Sequence, residues 1–215
     1  MRTRGAARTL RPHRLAAGIR PTDVAVHVDL DPQKRDDFRG EVAIELVLDA
    51  PHRTVELHAD DLKVEHARVE VGGRSLRGKI TKHPAFETIR IRLPERLPAG
   101  QATLRLEFSG TLRSDLRGLY ASRSGRRKYA FTQLEATDAR RFFPCFDEPT
   151  MKARFTMSVT TSQRNTVLSN SPIARTKKLS RGRKQVTFRP TPPLATYLVA
   201  LAVGELEASR TVKLG

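Results

Sequence analysis

Side chains able to do chemistry are concentrated in residues 132–154, which read T-Q-L-E-A-T-D-A-R-R-F-F-P-C-F-D-E-P-T-M-K-A-R. Asp147 and Glu148 form an adjacent carboxylate pair of the kind used in acid–base catalysis. Pro149 follows them, however, and an Asp before a proline-initiated turn is more often a cap for backbone N–H groups. We therefore predict that Asp147 caps backbone and does not transfer protons.

Cys145 is the only cysteine of the chain, which excludes an internal disulfide and a thiolate metal cluster. No His lies near it in sequence, so we predict a small buried hydrophobe and not a nucleophile. A cytoplasmic location is the expectation for such cysteine usage.

Arg140 and Arg141 are predicted to pair with the neighbouring acids or with loop carbonyls. The aromatic residues of the segment are predicted to pack and to fix the loop: Phe142, Phe143 and Phe146.

The histidines do not have the spacing of a metal site. No two of them are three or four residues apart with an acid between them, so no helix can present two of them to one ion. We therefore predict no catalytic and no metal-ligating residue in this chain, and read His58 and His66 as structural residues at strand ends. The six histidines are His13, His27, His52, His58, His66 and His83.

The formal net charge of +17 is confined to three segments. Residues 1–20 hold six Arg and no acid, residues 112–128 six bases and one acid, and residues 171–193 seven bases and no acid. We predict a disordered basic tail over residues 1–18, with a mitochondrial-type leader as the alternative, and solvated loops for the other two segments. No apolar run approaches the roughly 18 residues that span a membrane.

Apolar residues alternate with polar ones along most of the chain. This period of two is typical of strands with one face in a core and one in water. Turn formers such as Asp31-Pro32 and Gly72-Gly73 separate the runs, which predicts an all-β sandwich or barrel of many short strands. Residues 197–203 are almost wholly apolar and predict a strand that is covered on both faces or that leads into a second domain. The alternating positions include Val24, Val26, Val28, Leu30, Val42, Ile44, Leu46, Leu48, Ile89, Ile91, Leu93, Leu104, Leu106 and Phe108.

Residues 132–154 closely resemble a segment of aminopeptidase N, puromycin-sensitive aminopeptidase and their relatives, in which T-Q-x-E/Q, A-R and F-P-C-F-D-E-P occur at this spacing. Six further matches follow the family's order between about residues 21 and 207. They are F-R-G-E-V at 38–42, L-H-A at 57–59, G-L-Y at 118–120, L-S-N at 168–170, Y-L-V-A at 197–200 and V-G at 203–204.

The resemblance implies a saddle-like all-β sandwich, the N-terminal domain of a zinc aminopeptidase, which packs on a thermolysin-like zinc domain and lends residues to the mouth of its active site. Glu135 is then the acid that binds the α-ammonium group of the peptide substrate, and Gln133 lines the pocket for the first side chain. A carboxylate suits this role because it accepts charge-assisted hydrogen bonds that a blocked N-terminus cannot make.

Two motifs of the complete family enzymes, H-E-x-x-H and G-A-M-E-N, do not occur in this sequence. We therefore expect the chain alone to bind no zinc and to hydrolyse no peptide, with the zinc domain supplied in cis or by a partner chain. A fragment, a split gene and a stand-alone module all remain open. The alternative function is a basic binding module for an acidic partner or, less favoured because aromatic residues are few, nucleic acid. The predicted divisions are 1–18 (tail), 19–208 (sandwich domain) and 209–215 (link to a catalytic domain).

Overall fold

A computed structural model describes residues 14–207, and fifteen strands of this range form three sheets. The large sheet has eight strands in the order β13-β14-β11-β1-β2-β8-β4-β5, with β1 and β11 as its one parallel pair. Its strands are β1 (Ile19–Asp29), β2 (Asp37–Leu48), β4 (Lys63–Val71), β5 (Arg74–Arg77), β8 (Gly100–Thr111), β11 (Arg154–Ser162), β13 (Ile173–Leu179) and β14 (Arg183–Phe188).

Two smaller antiparallel sheets complete the fold, with strand orders β12-β15-β10-β9 and β3-β7-β6. Their strands are β3 (His52–His58), β6 (Lys79–His83), β7 (Thr88–Leu97), β9 (Gly118–Ser124), β10 (Arg127–Gln133), β12 (Thr166–Ser169) and β15 (Leu201–Gly204). Three single-turn 3-10 helices lie in the connections between strands: Pro84–Phe86, Ala139–Arg141 and Thr196–Leu198. The prediction of an all-β sandwich of mostly antiparallel strands is confirmed.

The alternation of apolar residues produces this arrangement. Along β2 every second side chain is buried, and the same holds along most of β8, because successive side chains of a strand point to opposite faces. All fourteen alternating positions named above are buried. They join one contiguous core with residues of both small sheets, so each sheet buries one face against the others.

The prediction of loops for the two basic segments is wrong. Residues 112–128 contain β9 and the start of β10, and residues 171–193 contain the hairpin of β13 and β14. Long basic side chains are compatible with strands wherever one face or one edge is solvated. Basic side chains therefore leave too few apolar residues in either segment for a period of two to be recognised.

The prediction of a continuous strand over residues 197–203 is also wrong for its first part. Residues Thr196–Leu198 form a 3-10 turn, and Leu198 is 51% exposed. The side-chain amide of Asn170 donates to the Leu198 carbonyl (2.8 Å), and its oxygen accepts the Ala200 N–H (2.7 Å). These bonds hold the backbone away from a sheet ladder, and β15 begins only at Leu201.

The predicted tail, residues 1–18, lies mostly outside the described residues, as does the predicted link over 209–215. Within its last part, Leu15 is buried and its N–H donates to Glu148 Oε1 (2.7 Å). Within residues 14–207, no helix has both the length and the apolar character to cross a membrane.

Candidate functional site

Gln133 and Glu135 lie at the end of β10, an inner strand of the four-stranded sheet. Both side chains are exposed and flank the buried Leu134. The chain then turns over residues 135–138, where the Glu135–Ala136 peptide bond is cis and the Asp138 N–H donates to the Leu134 carbonyl (2.9 Å). Neither the Glu135 nor the Gln133 side chain makes a hydrogen bond or ion pair to any other residue of the 14–207 range. A carboxylate and an amide are thus presented to solvent.

A buried ion-pair network holds the loop after Glu135. Arg140 donates from Nε to Asp147 Oδ2 (3.0 Å) and from Nη1 to Glu87 Oε2 (2.8 Å). Arg141 donates to Glu87 Oε1 (3.1 Å) and to Asp60 Oδ2 (2.9 Å), and it also pairs with Asp138. Both arginines are largely buried, and the Arg140–Asp147 contact is the most shielded from solvent. The other contacts tie the loop to Asp60, just after β3, and to Glu87, just before β7.

Asp147 has the structural role that we predicted, but with different partners. Its Oδ2 accepts the Arg140 N–H (3.4 Å) together with the guanidinium, and its Oδ1 accepts the Thr196 hydroxyl. It therefore caps the 3-10 turn Ala139–Arg141 and not the turn after Pro149. Glu148 accepts the Leu15 N–H and pairs with Arg14 (3.5 Å). Both acids are buried, and their carboxylate oxygens accept hydrogen bonds from other residues of the protein. Asp147 and Glu148 therefore have a structural role.

Cys145 and His58 exchange backbone hydrogen bonds (2.8 and 3.0 Å), which forms a one-residue bridge between the loop and β3. The Asp147 N–H lies 3.2 Å from His58 Nδ1. The Cys145 side chain is buried, and burial raises the pKa of its thiol well above the usual range. The prediction of a buried cysteine is confirmed, and the His58 ring at the end of β3 supplies the acceptor for the Asp147 N–H.

A chain of edge-to-face aromatic contacts connects the loop with the large sheet. Ring centroids are 6.5 Å apart for Phe38 and Phe108, 6.3 Å for Phe38 and Phe142, and 6.2 Å for Phe143 and Phe155. Phe142 and Phe143 are 5.2 Å apart and fully buried. The prediction that the loop phenylalanines pack is confirmed, and such pairs add to the stabilisation from burial alone.

Gly118 lies against this loop with φ +63°, and a Cβ atom there would lie 2.9 Å from Arg141 Cβ. We expect Gly118→Ala to destabilise the 215-residue chain by about 2–4 kcal/mol, from left-handed backbone strain and crowding together. The matched control is Gly73→Ala, which has φ +75° but no atom within 4 Å of the new Cβ. Urea unfolding should show a smaller decrease in the free energy of unfolding for Gly73→Ala than for Gly118→Ala. Equal decreases would contradict close packing at Gly118.

The outer face of the four-stranded sheet carries an apolar row beside this site. Leu168, Ala202, Phe131 and Tyr120 are cross-strand neighbours on β12, β15, β10 and β9. Leu168 is 54% exposed, and the Tyr120 and Phe131 rings are 6.1 Å apart. Gln133 lies two residues beyond Phe131 on the same face of β10, so the row leads to the candidate substrate contacts.

Residues 14–207 contain no group of three or more His, Cys, Asp or Glu side chains that could hold a metal ion. The zinc that the resemblance implies therefore has no fitting donor set in the described part of the chain. The fold and loop define a β-sandwich scaffold that presents two polar side chains at a sheet end beside an apolar face.

The chain belongs to the peptidase M1 N-terminal domain family, whose family model matches residues 20–198. It is 35% identical to aminopeptidase M1-D of Oryza sativa subsp. japonica over 94% of this chain. It is 36% identical to probable M1 family aminopeptidase 1 of Encephalitozoon cuniculi over 85% of the chain, and 34% identical to aminopeptidase 2 of Candida albicans over 87%. The matched part spans only 21–22% of the length of these relatives.

Proposed function

We propose that this chain is the substrate-lining domain of a zinc aminopeptidase, in which Glu135 binds the α-ammonium group of a peptide N-terminus. The observation that carries the proposal is an exposed carboxylate, without a protein partner in the described range, at the start of a loop fixed by buried ion pairs. Because the support is rigid, little conformational entropy is lost when a ligand binds. The charge-assisted hydrogen bonds to the ammonium group therefore contribute almost in full to the affinity.

Gln133, the last residue of β10 and two residues before Glu135, is proposed to line the pocket for the first side chain of the substrate. Its amide both donates and accepts hydrogen bonds, and it extends from the rigid ladder of β10 with β9. The chemical step is assigned to residues outside this chain, because the described residues offer no zinc ligand set.

The apolar row of Leu168, Ala202, Phe131 and Tyr120 is proposed to pack on a thermolysin-like zinc domain. Two facts support this occupant: the row is continuous with Gln133, and the relatives that share this domain are more than four times as long as the matched segment. Burial of such a face is the main favourable term in domain association.

The single buried cysteine supports a cytoplasmic location, which is likewise proposed.

The experiment compares hydrolysis of a leucine anilide by three samples: the 215-residue chain, the H-E-x-x-H zinc domain of the same enzyme, and both parts in one polypeptide. We expect no turnover from the chain, weak turnover without selectivity for a free amine from the zinc domain, and full, amine-selective turnover from the joined protein. An isolated zinc domain with the full activity and selectivity of the joined protein would contradict the proposal.

A further inference from the structure

The hairpin of β13 and β14 carries a concentration of unpaired positive charge. Residues 171–193 contain seven Lys or Arg and no acid. Arg183 pairs with Asp29, and the other six have no hydrogen bond or ion pair to another residue in the described range 14–207 through their side chains. These six are Arg175, Lys177, Lys178, Arg181, Lys184 and Arg189.

The hairpin also offers a free strand edge. β13 is the terminal strand of the large sheet, and all of its residues but Leu179 are exposed. β13 is seven residues long, whereas β5 at the opposite edge of the same sheet has four, so β13 is the longer of the two edge strands. A terminal strand leaves a row of backbone N–H and C=O groups unpaired, to which another extended chain can add.

We propose that the β13 edge binds an acidic peptide segment of a partner protein as an added strand. Arg175 and Lys177 extend from one face of β13 and Lys178 from the other, so cations flank an added strand on both sides. Backbone hydrogen bonds supply affinity, and carboxylates on the incoming strand meet the unpaired cations. This interaction surface is separate from the Glu135 site and does not depend on the proposed function.

An acidic peptide suits this surface better than nucleic acid. β14 is bonded to β11 on its other side, so the hairpin is part of an eight-stranded sheet and not a free two-stranded ribbon that enters a major groove. The one aromatic residue of the hairpin, Phe188, is buried and offers no ring for base stacking. Lysines on an edge strand also hinder edge-to-edge aggregation, and that role alone is the competing explanation.

The test is titration of the 215-residue chain with a synthetic peptide of alternating Glu and Val at low salt. We expect Lys177→Thr/Lys178→Thr to weaken binding by roughly tenfold. The matched control, Arg77→Thr/Lys79→Thr, removes the same charge near the opposite edge and should change binding by less than about twofold. Every variant keeps the basic residues 1–20, so their contribution cancels.

Strand addition is separated from plain charge attraction by two further measurements. The peptide should slow amide hydrogen exchange within Ile173–Leu179, and a proline-interrupted peptide of equal charge should bind more weakly. Equal weakening by both double variants, no binding of the peptide, or unchanged exchange in β13 would overturn the proposal. Tighter binding of a DNA duplex of equal charge at the same edge would also overturn it, in favour of nucleic acid.

Discussion

Arg140→Met is expected to destabilise the 215-residue chain by about 3–5 kcal/mol. The substitution removes the guanidinium from a network in which the Asp147 side chain is 1% and the Arg140 side chain 10% exposed. Met fills much of the same volume, so the loss arises mainly from the buried carboxylate that is left without its cation. Urea unfolding measures it as a lower midpoint at an unchanged m-value.

The control is the same substitution at an exposed pair. Arg105 binds Glu70 through Nε (2.8 Å) on the large sheet, with side chains 54% and 45% exposed. Arg105→Met should cost no more than about 1 kcal/mol, because solvent screens exposed pairs. If the two variants lose equal stability, the network around Asp147 does not hold the loop as described.

Glu135→Gln is expected to lower kcat/KM for free-amine peptides by roughly 10- to 100-fold in the complete enzyme. The amide keeps the shape of the side chain but removes the charge that we propose faces the substrate ammonium group. Because the Glu135 side chain is exposed and makes no hydrogen bond or ion pair to another described residue, the unfolding midpoint of the chain should stay unchanged. The measurement combines steady-state kinetics with urea unfolding.

Glu95→Gln serves as the control, since Glu95 is exposed on β7 and pairs with Arg74 (2.9 Å), away from β10. It should leave kcat/KM unchanged. A Glu135→Gln enzyme that keeps full activity, or one that loses stability as well, would remove the support for a binding role.

Strand positions were largely predictable from the sequence because burial of one sheet face forces a period of two. Val42 to Leu48 on β2 is an example, in which every predicted inward residue is buried. Residues 173–179 show the limit: an edge strand exposed on both faces has no hydrophobic period, so only its charge was visible.

The loop was predictable in role but not in its contacts. The burial of Phe142, Phe143 and Cys145 was expected from residue type. The partners that hold it, Asp60, Glu87 and Thr196, lie 49 to 81 residues in sequence from the loop residues that they contact, and no local pattern marks them. Glu87 also has an unusual backbone conformation, with a left-handed φ of 54°. Nothing in the sequence around it predicts that conformation.

The most direct test of the account is a thermodynamic cycle between Glu135 and the substrate amine. It compares kcat/KM of wild-type and Glu135→Gln enzymes for a peptide and for its des-amino analogue. We predict that the wild-type enzyme prefers the free amine by at least about tenfold and that this preference is lost in Glu135→Gln, while the des-amino analogue is turned over equally by both. The same preference in both enzymes would contradict recognition of the N-terminus by Glu135.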